Sequence, residues 1–418
     1  MSSDWTTSSL LDHYEIRSGL SKPAKDFGSG FPFLSFKDVF YNYFAPEILG
    51  NLVQSTSKER EACSVKRGDV FLTRTSETIH ELGMSCVALR DYRDATFNGF
   101  CKRLRPKLNS PLVPEYVGYY LRSPKFRQAM LALSTMSTRA SLNNEMIGRL
   151  TISYPSLNCQ MRIGEVLKTL DDRITLLRET NQTLEAIAQA LFQSWFVDFD
   201  PVRAKSEGRV PEEMDEATAA LFPDSFEMSE LGEIPRGWLV MSIGEIVNRP
   251  KIRKRYVKDQ VSRYGNHPVF EQGASLLLGF HNEDPACLAS PKQPLFIFGD
   301  HTCVTKLSCE PFDVSQNVIL LEGIERNSAW TYYAIQGKQL FEEYRRHWME
   351  LVVKRTVIAS ADLCETFANI AVPLHLKMEA NTKQMYSLME LRDTLLPRLI
   401  SGQLRLPDAE AEIEALTA

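Results

Sequence analysis

Between Leu157 and Phe199 apolar residues recur at alternating steps of four and three. Ile163, Leu167, Leu170, Ile174, Leu177, Asn181, Leu184, Ala188, Leu191 and Trp195 form one seam, with polar and charged residues on the other faces. After Gly164 no Gly or Pro interrupts the pattern until Pro201. The spacing predicts a helix over 157–200. At 1.5 Å per residue, the stretch 157–199 would be about 64 Å long. A helix of that length is a rod or spacer, and the rest of the chain must be arranged around it. Asn181 falls on the seam, where a single polar residue either fixes pairing register or turns to solvent.

A second, poorer heptad stretch runs through Leu374, Met378, Asn381, Met385, Leu388, Leu395 and Leu399, with Arg392 interrupting the seam and Gly402 as a stop. It predicts a distal helix over 375–403, followed by an acidic, frayed tail over 404–418. Residues 201–236 hold four prolines and 9 acidic against 4 basic residues, which reads as an acidic connector with a short helix near 212–221.

The blocks 1–156 and 237–374 lack long periodic segments and read as short strands and turns with a few helices. They share an order of features. Each has a central apolar strand (Val70–Leu72; Leu295–Phe298) and then a tyrosine pair in a helical context (Tyr119-Tyr120; Tyr332-Tyr333). Each closes on an apolar strand ending in proline (Leu150–Pro155; Ile370–Pro373), and a heptad helix follows at once. The order block–helix–block–helix implies an internal duplication.

Net charge is −5, unpromising for a nucleic-acid binder until it is divided. Residues 1–156 carry 20 Lys and Arg against 15 Asp and Glu, and residues 157–236 carry 8 against 16. Residues 237–374 carry 15 of each, and residues 375–418 carry 5 against 7. The acidity is therefore confined mainly to the spacer and connector, which leaves the blocks able to bind a polyanion. Two similar heads on a rod suit two places on a long ligand such as double-stranded DNA, whose helical turn is about 34 Å.

The candidate DNA-binding residues are Arg74, Lys102, Arg103, Arg139, Asn143, Lys251, Arg253, Lys254, Arg255, His301, Lys306, Lys354 and Arg355. Arg and Lys hold phosphates, and Arg, Asn and Gln read base edges. The strongest group is 251–258, with five like charges around Tyr256. Arg74 follows an apolar strand and Arg139 lies in a Ser/Thr-rich turn, both natural places to reach a groove. His281 and His301 flank an apolar strand, where loop histidines are usually surface residues.

Eight cysteines are scattered without a Cys-x-x-Cys pair or zinc spacing, so no metal is expected. No apolar run approaches the roughly 20 residues of a membrane span, and residues 1–10 do not read as a secretion signal. A cytoplasmic protein with no membrane contact is expected. Motifs for amino methylation, S-adenosylmethionine binding, a Walker A loop or a carboxylate–lysine nuclease are absent. This argues against catalysis and against a cofactor.

Five segments carry a family resemblance. Leu170-Asp-Asp-Arg-Ile174, Asn181-Gln-Thr-Leu-Glu-Ala186 and Ala190-Leu-Phe-Gln-Ser-Trp-Phe-Val-Asp-Phe-Asp-Pro-Val202 resemble the central spacer of type I restriction specificity subunits. Leu231-Gly-Glu-Ile-Pro-Arg-Gly-Trp238 and Leu391-Arg-Asp-Thr-Leu-Leu-Pro-Arg-Leu-Ile-Ser-Gly402 are similar to that family as well. The first block lacks an opening like Gly237-Trp238. The resemblance implies an α+β chain with two similar target-recognition domains, separated by long helices that pair as an antiparallel coiled coil. It implies a bipartite, asymmetric DNA target, two modification (methyltransferase) subunits around the spacers, and restriction (endonuclease/translocase) subunits for cleavage. Ile174, Leu177, Asn181, Leu184, Leu191, Trp195, Met385, Leu388 and Leu395 are then candidate subunit-interface residues. The alternatives are a protein–protein scaffold with two recognition heads, or a DNA-modifying enzyme with diverged motifs.

Overall fold

The computed structural model describes residues 5–76, 81–133, 140–273 and 275–417. The first heptad stretch is helical over Leu157–Phe196, forty residues without a break. It stops before the expected end. Phe199 takes a left-handed φ of 58°, and Pro201 opens a new helix, Asp200–Ser206, where its missing N–H has no intrahelical partner to lose.

The second long helix also has forty residues, Ala361–Ile400, and corrects the expected 375–403. Ile370–Pro373, read as a closing strand, is helix interior. Leu363, Cys364, Phe367, Ala368 and Ala371 are buried at helical spacing, and the burial of that face outweighs the one hydrogen bond Pro373 cannot donate. The closing strand is instead Arg355–Ile358. The tail, expected to fray, forms a helix over Leu406–Thr417. Arg162 reaches its Glu410 at 2.6 Å and Arg398 its Glu412 at 3.1 Å.

The two long helices correspond at a constant offset of 204, from 157 and 361 at one end to 196 and 400 at the other. Buried side chains fall at matching places: Ile163 and Phe367, Leu167 and Ala371, Ile174 and Met378, Trp195 and Leu399.

The chain divides into two compact units, Met1–Arg173 with Leu388–Ala418, and Ile174–Ser387. In the first, a four-stranded antiparallel sheet runs in the order Tyr14–Ser18, Cys101–Pro106, Val70–Thr73, Ser85–Val87. A three-stranded sheet runs Asn51–Val53, Phe27–Leu34, Thr96–Phe97, the last pair parallel. Thr6–Ser9 pairs antiparallel with Thr151–Tyr154. In the second unit the corresponding orders are Val247–Asn248, Val318–Gly323, Leu295–Gly299, Thr305–Ser308, then Leu277–His281, His267–Phe270, Asp313–Val314, again with the last pair parallel. Leu239–Ser242 pairs antiparallel with Arg355–Ile358. The connector adds a short helix, Glu216–Ala220, and a hairpin, Phe226–Ser229 with Gly232–Pro235.

The correspondence extends to detail. Val70 stands opposite Leu104 as Phe296 stands opposite Leu321. The strand ending at Ser9 turns into a helix through a Ser9–Asp12 capping box, and the strand ending at Ser242 does so through Ser242–Glu245. Trp5 precedes the first of these strands as Trp238 precedes the second, so the first block does have an opening tryptophan. Trp238 packs 5.9 Å from Phe196 and 5.6 Å from Phe199 between ring centroids. Trp5 lies so close on Gly402 that a methyl group there would stand 3.1 Å from its Nε1. The core of the second unit is aromatic: Phe192, Phe196, Trp330, Tyr333 and Phe367 are all buried.

Candidate nucleic-acid interface

In the first unit the sheet order brings three segments to one edge. Arg74 follows the strand Val70–Thr73. Its N–H donates to Phe100 O at 2.7 Å, and its carbonyl accepts from Leu142 N–H at 2.8 Å. Thr75-Ser76 pairs with Ala140-Ser141. The Arg74 side chain is half-buried, the Phe100 ring is 60% exposed, and Asn143 is exposed. The Asn143 Oδ1 caps the helix Asn144–Gly148 by accepting from Met146 N–H at 2.8 Å. Lys102 lies beside Arg74 and donates to Ser18 Oγ at 3.1 Å; burial, and then the Arg74 charge, push its pKa down. Arg139 lies outside the described residues.

Arg103 is a correction. It is only 3% exposed, donates to Ser64 O at 2.6 Å, and lies 5.5 Å from the Phe97 ring centroid. It is an interior prop between strands and cannot meet a ligand.

In the second unit the 251–258 cluster separates into two kinds of residue. Lys251 and Arg253 are exposed and make no ion pair with a described residue. Lys254 pairs with Glu283 and lies 4.4 Å from the Tyr256 ring centroid. The Glu283 carboxylate raises the Lys254 pKa. Arg255 donates through Nη1 to Ser315 O at 2.7 Å and Val318 O at 2.8 Å. Arg255 therefore fastens the loop to the sheet, a role its charge did not reveal.

A neighbouring surface was picked out by the sequence only at His301. Arg249 lies over the Trp348 ring at 5.8 Å, and Trp348 N–H donates to Asp300 Oδ1 at 3.0 Å. His301 stacks on Tyr344 at 4.7 Å. Tyr344 is 72% exposed, and Arg346 is more exposed still, 3.8 Å from Asp300. Strand register shows where this lies. Thr73 is opposite Cys101 and Gly299 is opposite Val318, so Arg74 and Asp300 occupy corresponding strand ends. The signal in the sequence was Tyr344-Arg-Arg346, an aromatic beside two cations.

Three candidates lie elsewhere. Lys306 lies near the buried His375, whose pKa is pushed down by burial and then by the Lys306 charge, and near the half-buried Glu379, whose carboxyl burial raises. Lys354 donates to Lys338 O at 2.5 Å, and Arg355 pairs with Glu230 at 3.2 Å. His281, expected at the surface, is buried in its strand. Its Nε2 is 3.0 Å from Asp313 Oδ2, its ring stacks on Tyr256, and burial raises the Asp313 carboxyl.

Among the seam residues Ile174, Leu177, Trp195, Leu388 and Leu395 are buried within the chain, while Asn181, Leu184, Leu191 and Met385 are half-buried. In the second unit the helices run antiparallel, with residue 181 bonded to 381, 185 beside 375 and 192 against 367. The apolar side chains left exposed on the first helix are others, among them Leu176 and Ile187, each about half exposed. Among the described residues no cluster of three or more His, Cys, Asp or Glu could hold a metal ion. No described helix is long and apolar enough to cross a membrane.

Residues 2–186 match the type I restriction modification DNA specificity domain. The specificity subunit of type I restriction enzyme MjaIX from Methanocaldococcus jannaschii is 25% identical over 441 residues, covering 97% of this chain and 94% of that one. The HindI specificity subunit from Haemophilus influenzae is 24% identical, covering 96% and 100%. In fold, the S subunit of the type I restriction–modification system from M. genitalium superimposes with a TM-score of 0.53 at 15% identity, over 95% of this chain and 96% of that one. This chain is thus similar to type I restriction–modification specificity subunits along nearly its whole length, and its first 186 residues carry the match to their DNA specificity domain.

Proposed function

We infer that this chain is the non-catalytic DNA-reading subunit of a cytoplasmic type I restriction–modification complex. Each block reads one half of a bipartite, asymmetric target in double-stranded DNA. The observation that carries this reading is the repetition of one sheet topology in both units, with cationic and aromatic side chains at corresponding strand ends. In the first block Arg74, Lys102 and Asn143 are the candidates for contact. In the second they are Lys251, Arg253, Tyr344 and Arg346, because exposed cations hold phosphates and an exposed aromatic beside them can stack on or wedge against bases.

The long helices dock two methyltransferase subunits, with restriction subunits added for cleavage. Their buried seam is already occupied within the chain, so the docking face is the outward one that includes Leu176 and Ile187. The test is an exchange of residues 1–156 for the equivalent block of a relative, read by sequencing methylated bases. One half of the methylated motif should change and the other remain. A change in both halves, or in neither, refutes the two-reader assignment.

A further inference from the structure

Two polar places on the long helices carry information that DNA reading does not use. In the first unit Tyr119 Oη donates to Asp171 Oδ2 at 2.7 Å, and Arg392 from the second long helix donates to Asp171 Oδ1 at 2.5 Å. Both charged side chains are largely shielded from water. In the second unit Tyr333 Oη and His375 Nε2 share a 2.7 Å hydrogen bond, and Glu185 Oε2 from the first long helix lies 3.8 Å from that nitrogen.

These are the same place in the repeat. His375 corresponds to Asp171 at the offset of 204, and Tyr119 and Tyr333 are each the sixth residue of their helices, Pro114–Arg122 and Ser328–Ile335. The occupants are reversed. The helix that follows its own block supplies the acid in the first unit and the basic ring in the second. The residue of opposite kind comes each time from the other long helix.

A third polar contact lies between them in sequence. Asn381 Nδ2 donates to Asn181 Oδ1 at 2.8 Å, and Asn181 Nδ2 donates to Met378 O at 3.0 Å. At the same offset Asn181 corresponds to Met385, and Asn381 to Leu177. The asparagines therefore meet only when two different helices pair.

Suppose instead that two chains paired like with like at this register. First helix on first helix would set Asp171 beside Glu185 and Asn181 against Leu177. Second helix on second helix would set Arg392 beside His375 and Asn381 against Met385. The first arrangement sets two carboxylates together, the second takes Asp171 away from Arg392 and leaves Arg392 with Asp393 of its own helix at 2.9 Å, and each puts a seam amide against hydrocarbon, all of them costly. We propose that these residues make each long helix a surface that accepts the other and rejects a second copy of itself. The chain then closes on its own two helices and does not trade them like for like with another chain. The penalty on the wrong pairing, as much as the gain on the right one, sets the choice. The proposal does not depend on DNA reading and is tested without DNA.

The test uses full-length chains. Asp171→Arg with Arg392→Asp keeps a pair of opposite charges within the chain, but like-with-like pairing then also brings the introduced arginine beside Glu185 and the introduced aspartate beside the His375 ring, which can donate to it. Adding Asn181→Leu and Asn381→Leu removes the amide mismatch. Two differently tagged copies are unfolded together in urea and refolded, one tag is pulled down, and the other is quantified; co-expression of both tagged copies replaces refolding if the chain aggregates. The natural sequence should give essentially no mixed species, and the four-substitution chain at least tenfold more. Equal mixed yields from both overturn the proposal. Melting supplies a second arm. Arg392→Asp alone should lower the melting temperature, and adding Asp171→Arg should recover most of the loss. No recovery also overturns it.

Discussion

Arg255→Ala should destabilise the second unit while Arg253→Ala should not, although the two arginines stand two residues apart in one charge cluster. Arg255 donates to Ser315 O and Val318 O at 2.7 and 2.8 Å. Hydrogen bonds to a charged donor contribute roughly 1.5–3 kcal/mol each when both ends are shielded. The guanidinium is half-buried, so the lower end applies and truncation should cost about 3 kcal/mol in all. For a unit of roughly 200 residues this lowers the melting temperature by about 6–12 °C. Arg253 is exposed and makes no ion pair with a described residue, so its truncation should change stability by less than about 0.5 kcal/mol. If Arg253 holds a phosphate, its loss should flatten the log–log salt dependence of DNA affinity by about 0.9. The assays are scanning calorimetry and DNA titration at several salt concentrations. An Arg255→Ala chain that keeps its melting temperature, or an Arg253→Ala chain that keeps its salt slope, refutes the division of roles.

Phe367→Ala should cost about 3–5 kcal/mol, because its ring meets Phe192, Phe196 and Tyr333 within 5.5 Å between centroids; urea unfolding measures it, and a loss under 1 kcal/mol would mean that the aromatic core repacks. Burial pushes His375 down to about 3 from its ordinary 6.5, so the unfolded chain binds the proton more readily. Stability from this group is complete above pH 6.5 and falls toward pH 3 by about 1.4 kcal/mol per unit. His375→Gln should flatten that part of a stability–pH curve, and an unchanged slope would remove His375 as its source. Leu176→Asp with Ile187→Asp should abolish co-purification with the methyltransferase subunit at unchanged melting temperature, whereas Leu177→Asp should unfold the chain itself. Retained co-purification in the first variant would exclude the outward face as the docking surface.

The first long helix could be read from sequence because its period is sustained and nothing breaks it. The second was shortened in the reading because Pro373 looks like punctuation, and only the burial of Phe367 and Ala371 explains why the helix continues through it. The duplication was legible in the order of features. Its register was not, since strands as short as Thr6–Ser9 and Thr96–Phe97 carry too few residues to show alternation. Trp5 went unrecognised because no glycine precedes it. In the candidate interface, charge located the regions but not the roles. Arg103 and Arg255 are as cationic as Arg74 and Arg253, and what separates them is the set of backbone carbonyls they reach, which depends on strands distant in sequence. Asn181 showed the same ambiguity until Asn381 was seen opposite it.

The constant offset between the long helices also bears on how such chains can be recombined. A genetic crossover joining any residue of the first helix to the residue after its counterpart in the second leaves a helix of forty residues with its apolar face in phase. The blocks can thus be transplanted between the two positions, or between related genes, without altering the frame that carries them. The site of the junction is not neutral, however. A junction before Asp171 separates a head from the acid its own tyrosine holds, and one after Asn181 carries acid and amide along with it. Hybrid genes joined at these two places would differ in assembly while encoding the same pair of heads.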